Sequence, residues 1–366
     1  MSEFSIPSFR KNLGVLRDWL DNPKATELVV NRPGELWVGW QGQRYMESIE
    51  VPELDLMTLR SLADLIASTT GQDGDIRRKP LLSATVPVDL RDGIPQHERG
   101  GYRVQIVEPP AVAEGTLAVV IRKPAMLDFS LDLYEEQGAF DTVNLKESDE
   151  ADADDRLLEH YKASQWKDFL RLGVQAHKTV MISAGTNTGK TTALNAMLRE
   201  IDPHERIITM EDSREVKPKQ KNVLHLLYPR GGKNDTDVTP IDLLEAMLRL
   251  TPDRAIAGEL RGAEAFSFLE LINSGHSGSI STIHADSPNL MYERLAQMVM
   301  RYGAQLTKPE IIDYARSLID IVIQFKRGSN GRRYISEIAY NDARIVDGVR
   351  LSGKTYQKKL EVAHAA

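Results

Sequence analysis

The chain has 366 residues, a net charge of −7 and an apolar fraction of 41%, which suits about two domains, each with its own core. The acidic balance argues against a general attraction to DNA or to an anionic bilayer, and the absence of cysteine excludes disulfides, thiolate metal sites and cysteine nucleophiles. The N-terminal stretch has no apolar signal core and no run of about 18 apolar residues occurs, so no membrane span is expected and any membrane role would work through partners.

Residues 1–124 read as a smaller α+β domain. Thr26–Asn31 and Glu35–Trp40 have strand character and are joined by Arg32-Pro33-Gly34, a turn in which Pro fixes φ and Gly accepts a positive one. Residues 53–67 carry Leu56, Leu59, Leu62, Ala63 and Ile66 on one helical stripe. Gly101–Val107 and Thr116–Arg122 read as two further strands, interrupted by Pro109-Pro110. Residues 125–165 differ: Glu147–Asp155 holds six acids in nine positions. Like charges in a block repel and stay in water, so the segment reads as an acidic linker, helical near Leu157–Tyr161.

From 166 to 356 strand and helix alternate, which implies a mostly parallel sheet covered by helices. Thr179–Ser183 is an apolar strand and Thr191–Glu200 the helix that follows its Gly-rich loop. Arg206–Met210, Arg254–Gly258 and Ser279–Ile283 read as buried strands. Ile319–Phe325 and Arg333–Tyr340 flank Ser329-Asn330-Gly331 and read as a hairpin. The tail 357–366 is charged, then Ala-rich, and reads as loose.

The loop between that strand and helix is Ala184-Gly185-Thr186-Asn187-Thr188-Gly189-Lys190-Thr191, followed by Thr192. It fits the phosphate-loop pattern, for which about 0.03 chance matches are expected at this length; the strand before it and the helix after it supply the context the motif requires. Gly185 and Gly189 let backbone N–H groups turn towards phosphates, and the helix start aims its positive end at them. Lys190 is placed for the β- and γ-phosphates of ATP and the Thr191 hydroxyl for Mg²⁺. Ala184 stands where Gly is commoner.

Hydrolysis also needs acids to orient water and hold metal. Glu211 follows the strand 206–210 and Glu259 ends the strand 254–258; carboxylates at the C-terminal ends of strands beside the phosphate-loop strand face the ligand crevice. The acids named for metal, with Thr191, are Glu211 and Glu259. In Gly275–Asp286, His276 and His284 are eight apart across a strand, not four apart on a helix, and no cysteine can assist, so zinc is disfavoured. His284, directly after a buried strand, is placed to sense phosphate; His276 reads equally as a solvated loop residue.

Four boxes, at 184–191, 209–213, 252–261 and 275–285, resemble those of the secretion superfamily of hexameric ATPases. Thr209-Met210-Glu211-Asp212-Ser213 is similar to its Asp box, Gly258-Glu259 to an atypical Walker B and Gly275-His276…His284-Ala285 to its His box. Within it, Glu27–Val38, Gly101–Ile106 and Ile121–Pro124 resemble the type IV secretion traffic ATPases, the eleventh VirB protein and its conjugation relatives. The resemblance implies a RecA-like C-terminal domain in a homohexameric ring. It also implies that Arg103 and Arg122 reach the phosphates, and that ATP hydrolysis serves the inner-membrane and other components of a type IV secretion machine. A cytoplasmic protein, held peripherally at the inner membrane through those partners, would follow.

Arg261 is placed either for a neighbouring site or to pair with an acid. A type II secretion or type IV pilus motor is the nearest alternative. A nucleic-acid translocase is the reading from another class; it is disfavoured by the −7 charge and the lack of an aromatic-basic stripe. A non-hydrolysing nucleotide-binding scaffold has no need of Glu211 and Glu259.

Overall fold

The computed structural model describes residues 13–72, 79–87, 101–124, 130–141, 143, 148–228, 237–301, 303, 305–342, 345–346 and 349–350. The start of the acidic linker, 125–129, and the tail 357–366 lie outside them. The strands in chain order are β1 (Ala25–Val30), β2 (Glu35–Trp40), β3 (Glu47–Glu50), β4 (Leu81–Pro87), β5 (Gly101–Val107), β6 (Ala118–Arg122), β7 (Val180–Ala184), β8 (Ile207–Glu211), β9 (Val223–Leu227), β10 (Arg254–Leu260), β11 (Ile280–Ile283), β12 (Ile321–Arg327) and β13 (Arg333–Tyr340). The chain divides into two compact units, one of residues 1–143 and 202–258, the other of 144–201 and 259–366.

In the first unit β1 to β6 form an antiparallel sheet in the order β3-β2-β1-β6-β5-β4. The helix Leu56–Thr69 buries Leu59, Leu62, Ala63 and Ile66 in a core shared with Leu28, Leu36, Ile106 and Val119. Each fully buried Leu, Ile or Val among these contributes about 1.5–3 kcal/mol. The helix starts three residues later than its periodicity predicts because Asp55 caps it, accepting from the Thr58 N–H at 2.7 Å. The same unit holds a parallel run in which β8 pairs with both β9 and β10. Strands β3, β4 and β9 were not legible in the sequence. β3 is a mostly exposed Glu-Ser-Ile-Glu edge, β4 ends in Pro, and β9 follows a Lys- and Pro-rich run, so none carries a clean period-two signal.

In the second unit β7 pairs in parallel with β11 and with β12, and β13 is antiparallel to β12. The pairings of β8 with β9 and β10, and of β7 with β11 and β12, are parallel, as the strand–helix alternation implied. The hairpin β12–β13 turns at Gly328–Arg332, with Gly331 at φ 79°. The helix after the phosphate loop is Lys190–Met197, tightened into a 3₁₀ turn at Leu198–Glu200.

The acidic run is more ordered than the helix expected at 157–161, because one helix spans Ser148–Lys162. Leu157 and Leu158 are buried on it, Asp154 pairs with Lys178 at 2.6 Å and Asp152 with Arg156 at 3.7 Å. Four-residue spacing thus gives Asp152 a partner within the helix, and Asp154 finds one outside it in Lys178.

Candidate active site

The phosphate loop leaves β7 at Ala184 and enters its helix at Lys190. Gly189 caps that helix at φ 97°, a conformation costly for any residue with a Cβ. Asn187 also has a positive φ, 63°, which asparagine tolerates. Thr188 Oγ1 donates to the Gly185 carbonyl at 2.8 Å and closes the loop on itself. A Cβ on Gly185 would meet nothing nearer than 3.9 Å, so the protein alone does not demand glycine there; close approach of a ligand to that backbone would.

Strand register brings the second element to the loop. Ile283 of β11 lies opposite Ser183 of β7, so His284 emerges beside Ala184. Ser183 Oγ and Gln324 Nε2, from β7 and β12, both donate to the Ala285 carbonyl, at 3.3 and 3.1 Å, and fix the chain just past His284.

Glu259 is the hub. Its Oε1 lies 2.9 Å from His284 Nε2 and 3.4 Å from Lys190 Nζ, and its Oε2 lies 2.6 Å from an Arg261 terminal nitrogen. Lys190 and Glu259 are only 10% and 13% exposed, so these interactions act at low effective dielectric. Burial holds the Lys190 ammonium below its ordinary value, opposed by Glu259. Burial also lowers His284; Glu259 opposes that shift, and the Lys190 and Arg294 charges reinforce it. The second of the two placements open for Arg261, pairing with an acid, is the one observed. The arrangement is a carboxylate held ready by three nitrogen groups beside a helix N-terminus. An arriving phosphoryl group would compete for the Lys190 and Arg261 charges and free the carboxylate.

Glu211, in the first unit, is buried at the end of β8. Its Oε1 accepts from the Glu215 and Val216 N–H groups at 2.9 and 2.7 Å, and its Oε2 lies 3.5 Å from Thr209 Oγ1. Burial raises its pKa, and the two backbone donors oppose the shift. A Cβ on Gly258 would stand 3.1 Å from Glu211 Cγ, which gives a steric reason for glycine where the usual Walker B has an acid.

Arg103 and Arg122 face each other across β5 and β6. They line a cleft of about 450 Å³ in the first unit together with Arg249, Ser83 and Gln105. Like charges directly opposite on neighbouring strands repel, so the pair is suited to an anion. His276 takes a local part instead: its Nδ1 lies 3.2 Å from the Leu271 carbonyl, at the end of the helix Glu264–Asn273.

Sequence reasoning missed Arg333, whose Cδ would lie 3.3 Å from a Cβ on Gly189. It also missed Arg294, whose charge acts on both Lys190 and His284, as well as Gln324 and Arg249. All four come from elements far along the chain from the motif they serve, and no local pattern marks them.

Residues 152–350 match the family model described as type II/IV secretion system protein. The chain is 37% identical over 356 residues to the type IV secretion system protein VirB11 of Brucella suis, covering 93% of this chain and 94% of that one. It is 39% identical over 350 residues to the type IV secretion system protein PtlH of Bordetella pertussis, covering 90% and 94%. The crystal structure of the VirB11 ATPase from the Brucella suis type IV secretion system, in complex with sulphate, superposes with a TM-score of 0.81 at 35% identity, covering 97% of each chain.

Proposed function

The chain belongs to the VirB11 family of type IV secretion ATPases, and on that premise we propose how its own residues hydrolyse ATP and to what end. The observation that carries the reading is the Glu259 cluster, a largely shielded carboxylate touching Lys190, His284 and Arg261 beside the phosphate loop. ATP lies with its phosphates on the backbone of Ala184, Gly185, Thr186, Asn187, Thr188, Gly189, Lys190, Thr191 and Thr192. Lys190 leaves Glu259 for the γ-phosphate, and Glu259 then orients the attacking water and accepts its proton. His284 reads the presence of the γ-phosphate through its bond to Glu259. Arg103 and Arg122 offset the charge that develops on the phosphoryl oxygens. The sulphate bound by the Brucella suis relative has the size and charge of phosphate and supports an anion site.

The donor set fits Mg²⁺. A hydroxyl and two carboxylates suit an ion that takes one or two carboxylates and fills the rest of its shell with phosphate and water. Thr191, Glu259 and Glu211 are the residues to hold it, and when bound it neutralises charge at the β- and γ-phosphates.

The protein works as a homohexamer, with 1–124, 125–165 and 166–356 as its functional segments, and its cycles drive transfer of protein or DNA through the secretion machine. No described helix is long and apolar enough to cross a membrane; the family reading places the protein in the cytoplasm, attached peripherally through inner-membrane components. The test is ATP turnover per subunit against protein concentration, with Lys190→Ala as the blank. Specific activity that climbs with self-association supports a ring. Activity flat down to concentrations where the chain is monomeric overturns it, and a Lys190→Ala variant as active as wild type overturns the site.

A further inference from the structure

We infer that Glu27 is the positioning residue for Arg122: it anchors one edge of the guanidinium and leaves the terminal fork to face the arginine-lined cleft. The inference rests on the proposed role of Arg122 at the phosphates and adds the group that makes it competent.

The geometry comes from strand register. Glu27 on β1 is the direct partner of Arg122 on β6, and Arg122 is the direct partner of Arg103 on β5. Directly paired residues share a sheet face, so the row reads Glu27, Arg122, Arg103. Arg122 Nε lies 3.7 Å from Glu27 Oε1, with the Arg122 side chain 50% exposed and that of Glu27 only 12%. The ion pair is thus asymmetric, with a buried carboxylate holding a half-exposed guanidinium. Contact through Nε leaves the two terminal nitrogens, the pair that forms bidentate bonds to phosphoryl oxygens.

Of the three arginines lining the cleft, Arg122 is the one with a carboxylate partner among the described residues. Arg249 has the Ser83 hydroxyl at 3.5 Å. Without Glu27, repulsion from Arg103 would turn Arg122 outward into water.

Glu27 is itself held from behind. Arg206, fully buried, interacts with it electrostatically. Arg206 is fixed by the Leu250 carbonyl at 3.0 Å and by the Asn31 and Asn222 side-chain oxygens at 2.8 and 2.6 Å. An unpaired buried carboxylate is costly, so a Glu27 that served only the fold would need no exposed arginine as its second partner; Arg206 already supplies a buried countercharge.

The experiment is a double-mutant cycle on full-length protein, reading kcat and KM for ATP alongside thermal unfolding. Glu27→Gln keeps the shape and removes the charge. We expect it to lower kcat/KM roughly tenfold, with Glu27→Asp recovering part of the loss. In an Arg122→Ala background the same Glu27→Gln change should cost nothing further. If Arg122→Ala is harmful but Glu27→Gln is silent, or if the two losses simply multiply, Glu27 does not act through Arg122 and the inference falls. If Arg122→Ala is itself silent, the reading of Arg122 at the phosphates fails, and the inference with it. A Glu27→Gln variant that loses thermal stability but keeps its kinetic constants shows a structural role only, and overturns it as well.

Discussion

His284 Nε2 stands 2.9 Å from Glu259 Oε1, the same oxygen that lies 3.4 Å from Lys190 Nζ. The histidine of one box, the acid of another and the lysine of the phosphate loop therefore meet at a single atom. A proton or a phosphate that alters any one of the three alters the field on the others, because the group is largely shielded from water.

Replacing His284 by Gln tests that coupling. Burial, with Lys190 and Arg294, keeps the imidazole below its ordinary pKa, so it is neutral at neutral pH and gains a proton only on acidification. The added charge then competes with Lys190 for Glu259. Wild-type kcat should fall on the acid side, and His284→Gln, with no group to titrate, should lack that limb while losing roughly tenfold at neutral pH. Matched pH–rate profiles would check this; an unchanged acid limb in the variant would remove His284 from the reaction.

His225 gives a stability counterpart. Burial, reinforced by the Arg214 charge, lowers its pKa from 6.5 to about 4. The folded state therefore prefers the neutral ring while the unfolded chain binds a proton from pH 6.5 downward. The unfolded state holds more protons in this window, so stability falls as pH drops from about 6.5 to about 4. The loss is roughly 1–3 kcal/mol once partial exposure is discounted. Denaturant titrations across that range should be flatter for His225→Asn, which can keep the contact with Thr209 Oγ1 at 2.8 Å.

Gly258→Ala should be harmful out of proportion to its size. The added methyl would stand 3.1 Å from Glu211 Cγ and 3.4 Å from the Met210 carbonyl, so Glu211 must shift and strain its two backbone hydrogen bonds. Overpacking of this kind costs about 1–3 kcal/mol. We expect a comparable drop in unfolding free energy together with reduced turnover. A variant with wild-type stability and activity would show that Glu211 has room to move.

Glu205→Ala addresses the fold beneath the site. Arg254 is fully buried and meets Glu205 through two bonds, at 2.6 and 3.0 Å. Removing the carboxylate leaves a buried guanidinium short of its countercharge, which costs about 3–5 kcal/mol. Chemical denaturation should register most of that loss. A change below about 1 kcal/mol would mean that water or another acid takes over the guanidinium.

The position of the candidate phosphate loop between a strand and a helix was legible in the sequence, since cradling phosphate is a task for contiguous backbone. Gly189 at the helix cap, Lys190 after it and the apolar strand before it all declare themselves within a dozen residues. Glu211, Glu259 and His284 were legible as residues at strand ends, because parallel strands place their C-terminal ends on one side. That Glu259 is the hub, and Arg261 its partner, was decided only by the tertiary structure. So were Arg333 beside Gly189, the crowding of Gly258 by Glu211, and the row Glu27, Arg122, Arg103. Those relations depend on strand register, which is set by burial of whole faces and not by any local run of residues. A one-residue slip would leave every motif intact in the sequence while turning Arg122 and Glu27 to the opposite face.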